Sequence, residues 1–145
     1  MIAGTLFWNY RWWLADFPPE IRDVLPPQTD REKQKSLLIA IVFLAILLLG
    51  MSTSFSLLKQ QIPTEITFLS AWLHAFLFFQ IFNLWDLVVI DWIGILFINP
   101  SNPPIPGTKN STGYRNYFFH FQGSLNGILI GTGISLLAAV VVTTL

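Results

Sequence analysis

Apolar and polar stretches alternate along this chain on a long scale. Three apolar runs stand out, 36–58, 66–98 and 117–144. Runs of about 18 or more apolar residues with few charges read as helices that cross a membrane. The first run has no charge between Lys35 and Lys59, and Gly50, Ser52, Thr53, Ser54 and Ser56 crowd its second half. Small and hydroxyl residues let helices approach closely in lipid, so that half is expected to face another helix. The middle run carries no proline, lysine or arginine, and its formal charges are two acids, Asp86 and Asp91. As one helix it would be about 50 Å long, against a hydrocarbon core of about 30 Å. Two spans would need about 40 residues plus a turn. The pattern therefore predicts one long helix whose last turns reach or pass the interface, with a break near Asn83 as the alternative. The last run opens on Tyr117, Phe118, Phe119 and Phe121, an aromatic belt of the kind found at headgroup level.

The polar stretches fit between these rods. Residues 1–17 hold Phe7, Trp8, Tyr10, Trp12, Trp13 and Phe17 among Asn9, Arg11 and Asp16. Half-wet aromatic rings favour the membrane interface, so this segment is read as an interfacial helix or hook. The other reading is the tail of a missing or short first span. No secretory signal peptide is evident, because a basic start, an aliphatic core and a small-residue cleavage site are lacking; the first span would serve as an uncleaved anchor. Pro18-Pro19 and Pro26-Pro27 forbid a continuous helix through the connector, leaving room for one turn over 20–25. Thr29 followed three residues later by Glu32 predicts a capping box for the first span. The short loop 59–65 predicts a helix start at Pro63-Thr64. Residues 99–116 are a loop by their prolines, glycines and asparagines; Asn110-Ser111-Thr112 fits a glycosylation acceptor, which would matter only in a eukaryotic lumen. The expected architecture is an all-α membrane protein with three transmembrane helices. An aromatic, proline-punctuated interfacial segment and connector (1–35) precedes a three-helix transmembrane domain (36–145).

Composition and charge narrow the function. Only 11% of residues are charged, against about 25% in soluble domains, so lipid is the expected solvent. Net charge is +0, which gives no footprint for nucleic acid. The absence of cysteine removes disulfides, thiolate metal sites, iron–sulfur clusters and cysteine nucleophiles. Of the eight basic residues, seven (Arg11, Arg22, Arg31, Lys33, Lys35, Lys109 and Arg115) lie before the first span or in the second loop. Only Lys59 lies in the first loop. The positive-inside rule then puts the N-terminus in the cytoplasm and the C-terminus outside.

Few side chains could carry chemistry. On a wheel of about 100° per residue, Gln80, Asn83, Asp86 and Asp91 share an arc of roughly 140°, with His74 outside it. Two readings stand for that face. It is a buried carboxylate site that titrates or holds a cation, with His120 as a third member, or it is an interfacial face paired with a nearby arginine. His74 and His120 belong to antiparallel helices and would sit at different depths, so a shared metal site is not expected. Each could ligate chlorophyll or haem, or bond a neighbouring helix. Gly123, Gly127, Gly131, Ser135 and Ala139 repeat every four residues, a stripe that admits another backbone, either the protein's own or a partner's. No metalloprotease pair, nucleophile elbow or phosphate-binding loop occurs, which points away from an enzyme.

Short motifs add a resemblance. They are Phe82-Asn83-Leu84-Trp85-Asp86-Leu87-Val88-Val89-Ile90-Asp91-Trp92, Ile105-Pro106-Gly107-Thr108, Tyr114-Arg115-Asn116-Tyr117 leading to His120-Phe121-Gln122-Gly123, and Asp16-Phe17-Pro18-Pro19-Glu20-Ile21. Together the chain resembles a family of small bacterial integral-membrane proteins of uncharacterised function, across most of residues 16–130. It departs from them where they tend to carry a further hydrophobic helix ahead of the prolines, and an acid where Lys109 and Asn116 stand. The resemblance implies a bacterial inner (or photosynthetic) membrane and assigns no role to any residue. The function expected is a non-catalytic accessory or structural subunit of a larger membrane complex, with the lipid bilayer and other membrane subunits as partners. The alternatives are a small enzyme or proton/cation carrier using Asp86 and Asp91, and a pigment- or haem-binding subunit using His74 or His120.

Overall fold

A computed structural model describes residues 9–62 and 65–144. Among them the chain is helical and has no strand. Three helices are long and apolar enough to cross a membrane: Asp30–Gln61, Phe68–Ile93 and Tyr117–Thr144. The protein is an all-α integral membrane protein. A 3₁₀ turn, Tyr10–Asp16, and a short helix, α1 (Pro19–Arg22), precede the first span. Phe7 and Trp8 of the expected aromatic segment, and the expected start at Pro63-Thr64, lie outside the described residues.

The first span, α2 (Asp30–Gln61), starts six residues earlier than the apolar run and ends three later. Its charged first turns are helical because Thr29 caps them. The Glu32 carboxylate accepts from the Thr29 amide (2.8 Å) and hydroxyl (3.0 Å), and the Glu32 amide donates to Thr29 Oγ1 at 3.3 Å. Acids in that turn also suit the helix dipole. The second span begins as α3 (Phe68–Trp85), capped by Thr67, whose hydroxyl oxygen accepts from the Ser70 amide. It neither runs on unchanged nor breaks at Asn83. The α geometry gives way to a π-helical stretch over Asp86–Ile93 and returns for one turn, α4 (Gly94–Leu96). The third span is α5 (Tyr117–Thr144).

The chain divides into two compact units, each drawn from two stretches of sequence. One is drawn from Phe43–Asp86 and Gln122–Leu145. Its core is a column of residues four apart: Leu47, Met51 and Phe55 from α2, Ala71, Ala75 and Phe79 from α3, with Ala139 from α5. The spacing of four keeps each set on one face of its helix. Small residues set the approach of the backbones. A Cβ on Gly127 would stand 2.5 Å from Asn83 Oδ1, and one on Gly131 would stand 3.1 Å from Gln80 Nε2. Ser135 and Ala139 are fully buried. Four of the five stripe residues thus pack inside the protein, while a Cβ on Gly123 would meet nothing within 4 Å.

The other unit is drawn from Met1–Val42 and Leu87–Phe121. It has its own small core of Ile21, Ile105 and Tyr114, lined by Tyr10, Phe17, Leu25 and Ile98. The 99–116 loop is therefore ordered. Ser111 Oγ donates to the Glu20 carbonyl (3.1 Å) and Asn116 Nδ2 to Glu20 Oε1 (3.1 Å). A 3₁₀ turn, Thr112–Arg115, brings Tyr114 inward. Gly113 is the residue that admits this packing, since a Cβ there would lie 2.8 Å from Ile21 Cγ1. The chain turns into this core at Gly107, whose φ of +83° suits only glycine. Arg11 ties the N-terminal segment to the start of α2. Its Nε donates to Glu32 Oε1 at 2.5 Å and its Nη2 to the Pro27 carbonyl at 2.9 Å. The Lys35 ammonium lies 5.1 Å from the centre of the Trp12 ring.

Candidate polar site

The π-helical stretch decides where the middle helix points its acids. Each π turn takes in an extra residue, so the uniform 100° step fails beyond Asp86. Gln80 and Asn83 face α5: Asn83 Nδ2 donates to the Ser124 carbonyl (3.1 Å) and to Gln80 Oε1 (3.3 Å). These amides hold helices together, and Gln80 Nε2 is buried with no hydrogen-bond partner. Asp86 stands exposed where α turns to π, its backbone N–H donating to the carbonyls of Phe82 and Asn83.

Asp91 lies in the unit that holds the 99–116 loop, and there it meets His120 from the first turn of α5. Asp91 Oδ2 and His120 Nδ1 are 3.2 Å apart, with side chains 26% and 14% exposed. Asp16, at the end of the 3₁₀ turn Tyr10–Asp16, stands within electrostatic reach of both. Its carboxyl is raised above the usual range, first by loss of water, next by the charge of Asp91, while His120 pulls it down. Asp16 keeps exposed surface, so the loss of water is partial and comes from crowding rather than enclosure. Three stretches of chain, far apart in sequence, thus bring two carboxyls and one imidazole together. Trp92 packs edge-on against Tyr117 beside them, at 6.4 Å between ring centres, and its indole N–H is buried without a partner.

A carboxylate on Nδ1 fixes the orientation of an imidazole, and the two groups can share or pass a proton. Among the described residues no group of three or more His, Cys, Asp and Glu side chains is arranged to hold a metal ion.

His74 is placed otherwise. Its Nε2 lies 2.9 Å from Ser54 Oγ of α2, and its ring tilts against Phe55 at 4.7 Å. This is an interhelical hydrogen bond within the core column. Sequence reasoning singled out His74 and the hydroxyl-rich half of α2 but did not pair them. It missed Asp16, which no periodicity links to Asp91 or His120. It also missed the buried hydroxyl pair of Thr108 and Tyr114, 2.6 Å apart, although both residues stand in short motifs singled out in the sequence.

The fold and this site define a class: a three-span helical membrane protein with a partly buried carboxylate–imidazole pair. No protein-family model matches the chain, and neither does any curated protein or solved structure.

Proposed function

We propose that the protein is a non-catalytic accessory subunit of a larger membrane assembly. One observation carries this reading. Asn126 of α5 is exposed, and its amide makes no hydrogen bond to any described residue. Several other polar groups in the spans are answered within the protein. Thr53, Ser56, Thr132 and Ser135 donate to carbonyls one turn back in their own helices, and Asn83 bonds across to α5. An amide side chain cannot be satisfied by acyl chains, and leaving it unpaired in hydrocarbon costs several kcal/mol on the order of magnitude. A neighbouring protein supplies the missing partner. The motifs shared with small bacterial membrane proteins support a bacterial inner or photosynthetic membrane. The distribution of basic residues supports a cytoplasmic N-terminus and an external C-terminus. Gentle purification from the native membrane tests the reading: a stoichiometric complex is expected, and a chain that runs alone overturns it.

The Asp91–His120 pair favours a second reading, a proton-handling role. It predicts that Asp91→Asn and His120→Gln insert normally but reduce proton flux across reconstituted vesicles. Equal flux for wild type and both variants removes it.

A further inference from the structure

The helix α5 has two opposed faces. Taking Gln122 as zero on a wheel of about 100° per residue, Gly127, Gly131 and Ser135 fall within about 40° of the opposite side. That is the side packed inside the protein, as Gly127 against Asn83 and Gly131 against Gln80 show. The zero side carries Gln122, Asn126, Leu129, Gly133, Leu136 and Val140 within an arc of about 80°. All six are exposed, Leu129 at 72%. A Cβ on Gly133 would meet nothing within 4 Å, so the backbone there is open to close approach.

Two amides stand on this outer face, Gln122 and Asn126, and neither is bonded to a described residue. Asn126 lies about 13 Å along α5. The helix is about 42 Å long and overshoots a 30 Å hydrocarbon core by roughly 6 Å at each end. Centred on such a core, the helix places Asn126 about 7 Å inside the hydrocarbon.

We propose that this face binds a second copy of the same chain, with the two α5 helices related by a two-fold axis near Asn126 and Leu129. The argument for a copy is the chemistry of the amide. It carries donors and an acceptor together, so two identical amides across a two-fold axis satisfy each other reciprocally. No charge stands on the face to repel its own image. Gly133 allows the backbones to close where the axis needs them near. The inference rests on the preceding reading only in requiring a protein neighbour within the membrane.

The chain has no cysteine, so single introduced thiols report contact without background. The experiment uses Leu129→Cys in the full chain, oxidised in intact membranes, with Leu49→Cys on the exposed side of α2 as control. Leu129→Cys is expected to give a disulfide-linked dimer, and Leu49→Cys none. Adding Asn126→Leu, an apolar change at an exposed position, should weaken the dimer about 3- to 20-fold. Equal cross-linking at both positions, or no effect of Asn126→Leu, overturns the proposal. If Leu129→Cys stays monomeric while another polypeptide copurifies, the self-pairing fails and the accessory reading stands. If there is no cross-link and no copurifying protein, both fail. A cross-linked dimer with no other subunit upholds the pairing and removes the larger assembly.

Discussion

Tyr114 and Thr108 show how a loop without hydrophobic periodicity acquires a fixed shape. Both are 2% exposed. Thr108 Oγ1 donates to the Ile105 carbonyl at 2.7 Å. A hydroxyl has one proton, so Tyr114 is the donor in the 2.6 Å contact to Thr108. Burial pushes the Tyr114 phenol up, and the bond to Thr108 pulls it down less strongly, so it stays a neutral donor at physiological pH. Tyr114→Phe leaves Thr108 its bond to Ile105 and should cost about 1 kcal/mol. Thr108→Val strands both the phenol and the carbonyl and should cost more, roughly 1–3 kcal/mol. Thermal denaturation in detergent, with Tyr114→Phe melting above Thr108→Val, checks the order. Asp16 gives a pH dependence with a definite sign. Its folded carboxyl is raised, so the unfolded chain gives up this proton first. Stability from this group is full below about pH 4 and falls as pH rises toward the raised value. Asp16→Asn should therefore be more stable than wild type at pH 7 and flatter between pH 4 and 7. A variant less stable than wild type at pH 7 would contradict that.

At the scale of elements, the sequence was most informative where local rules act alone. The three spans and the capping box at Thr29 and Glu32 follow from patterns within one or two turns, and the turn expected over 20–25 forms over Pro19–Arg22. Boundaries were harder. Helix α2 begins at Asp30 because a cap and the helix dipole hold its charged turn, and hydropathy has no view of either. The π stretch was invisible, since Asp86–Ile93 contains no proline and its one neighbouring glycine, Gly94, lies beyond it. It matters because it carries Asp91, the residue that pairs with His120. π geometry is rare and sits mostly at functional places within α-helices. Its amides should open more easily than those of the α segment before it. Hydrogen exchange in lipid nanodiscs should show residues 87–93 exchanging faster than residues 72–85. Uniform protection would mean a helix without that local weakness.

For the whole molecule, what the chain hides is which distant segments meet. The 99–116 loop reads as irregular, and its order comes from Ile21 and Glu20, about ninety residues earlier, which supply a core contact and two hydrogen bonds. Asp16, Asp91 and His120 converge in the same way, through tertiary contacts that leave no periodic mark. Lipid-facing helices, by contrast, need no distant partner to be recognised, because the surrounding solvent alone dictates their composition. The exposed leucines, isoleucines and phenylalanines along all three spans would be untenable in water and are ordinary in a bilayer. Everything about the site, the outer face of α5 and the proposed pairing presupposes that these three helices cross. An odd number of crossings places the two chain ends on opposite sides. The direct measurement is labelling of single thiols, introduced near each end, by an impermeant reagent in sealed vesicles of one orientation. The account predicts that one end is labelled and the other only after permeabilisation; both ends labelled, or both protected, would contradict it.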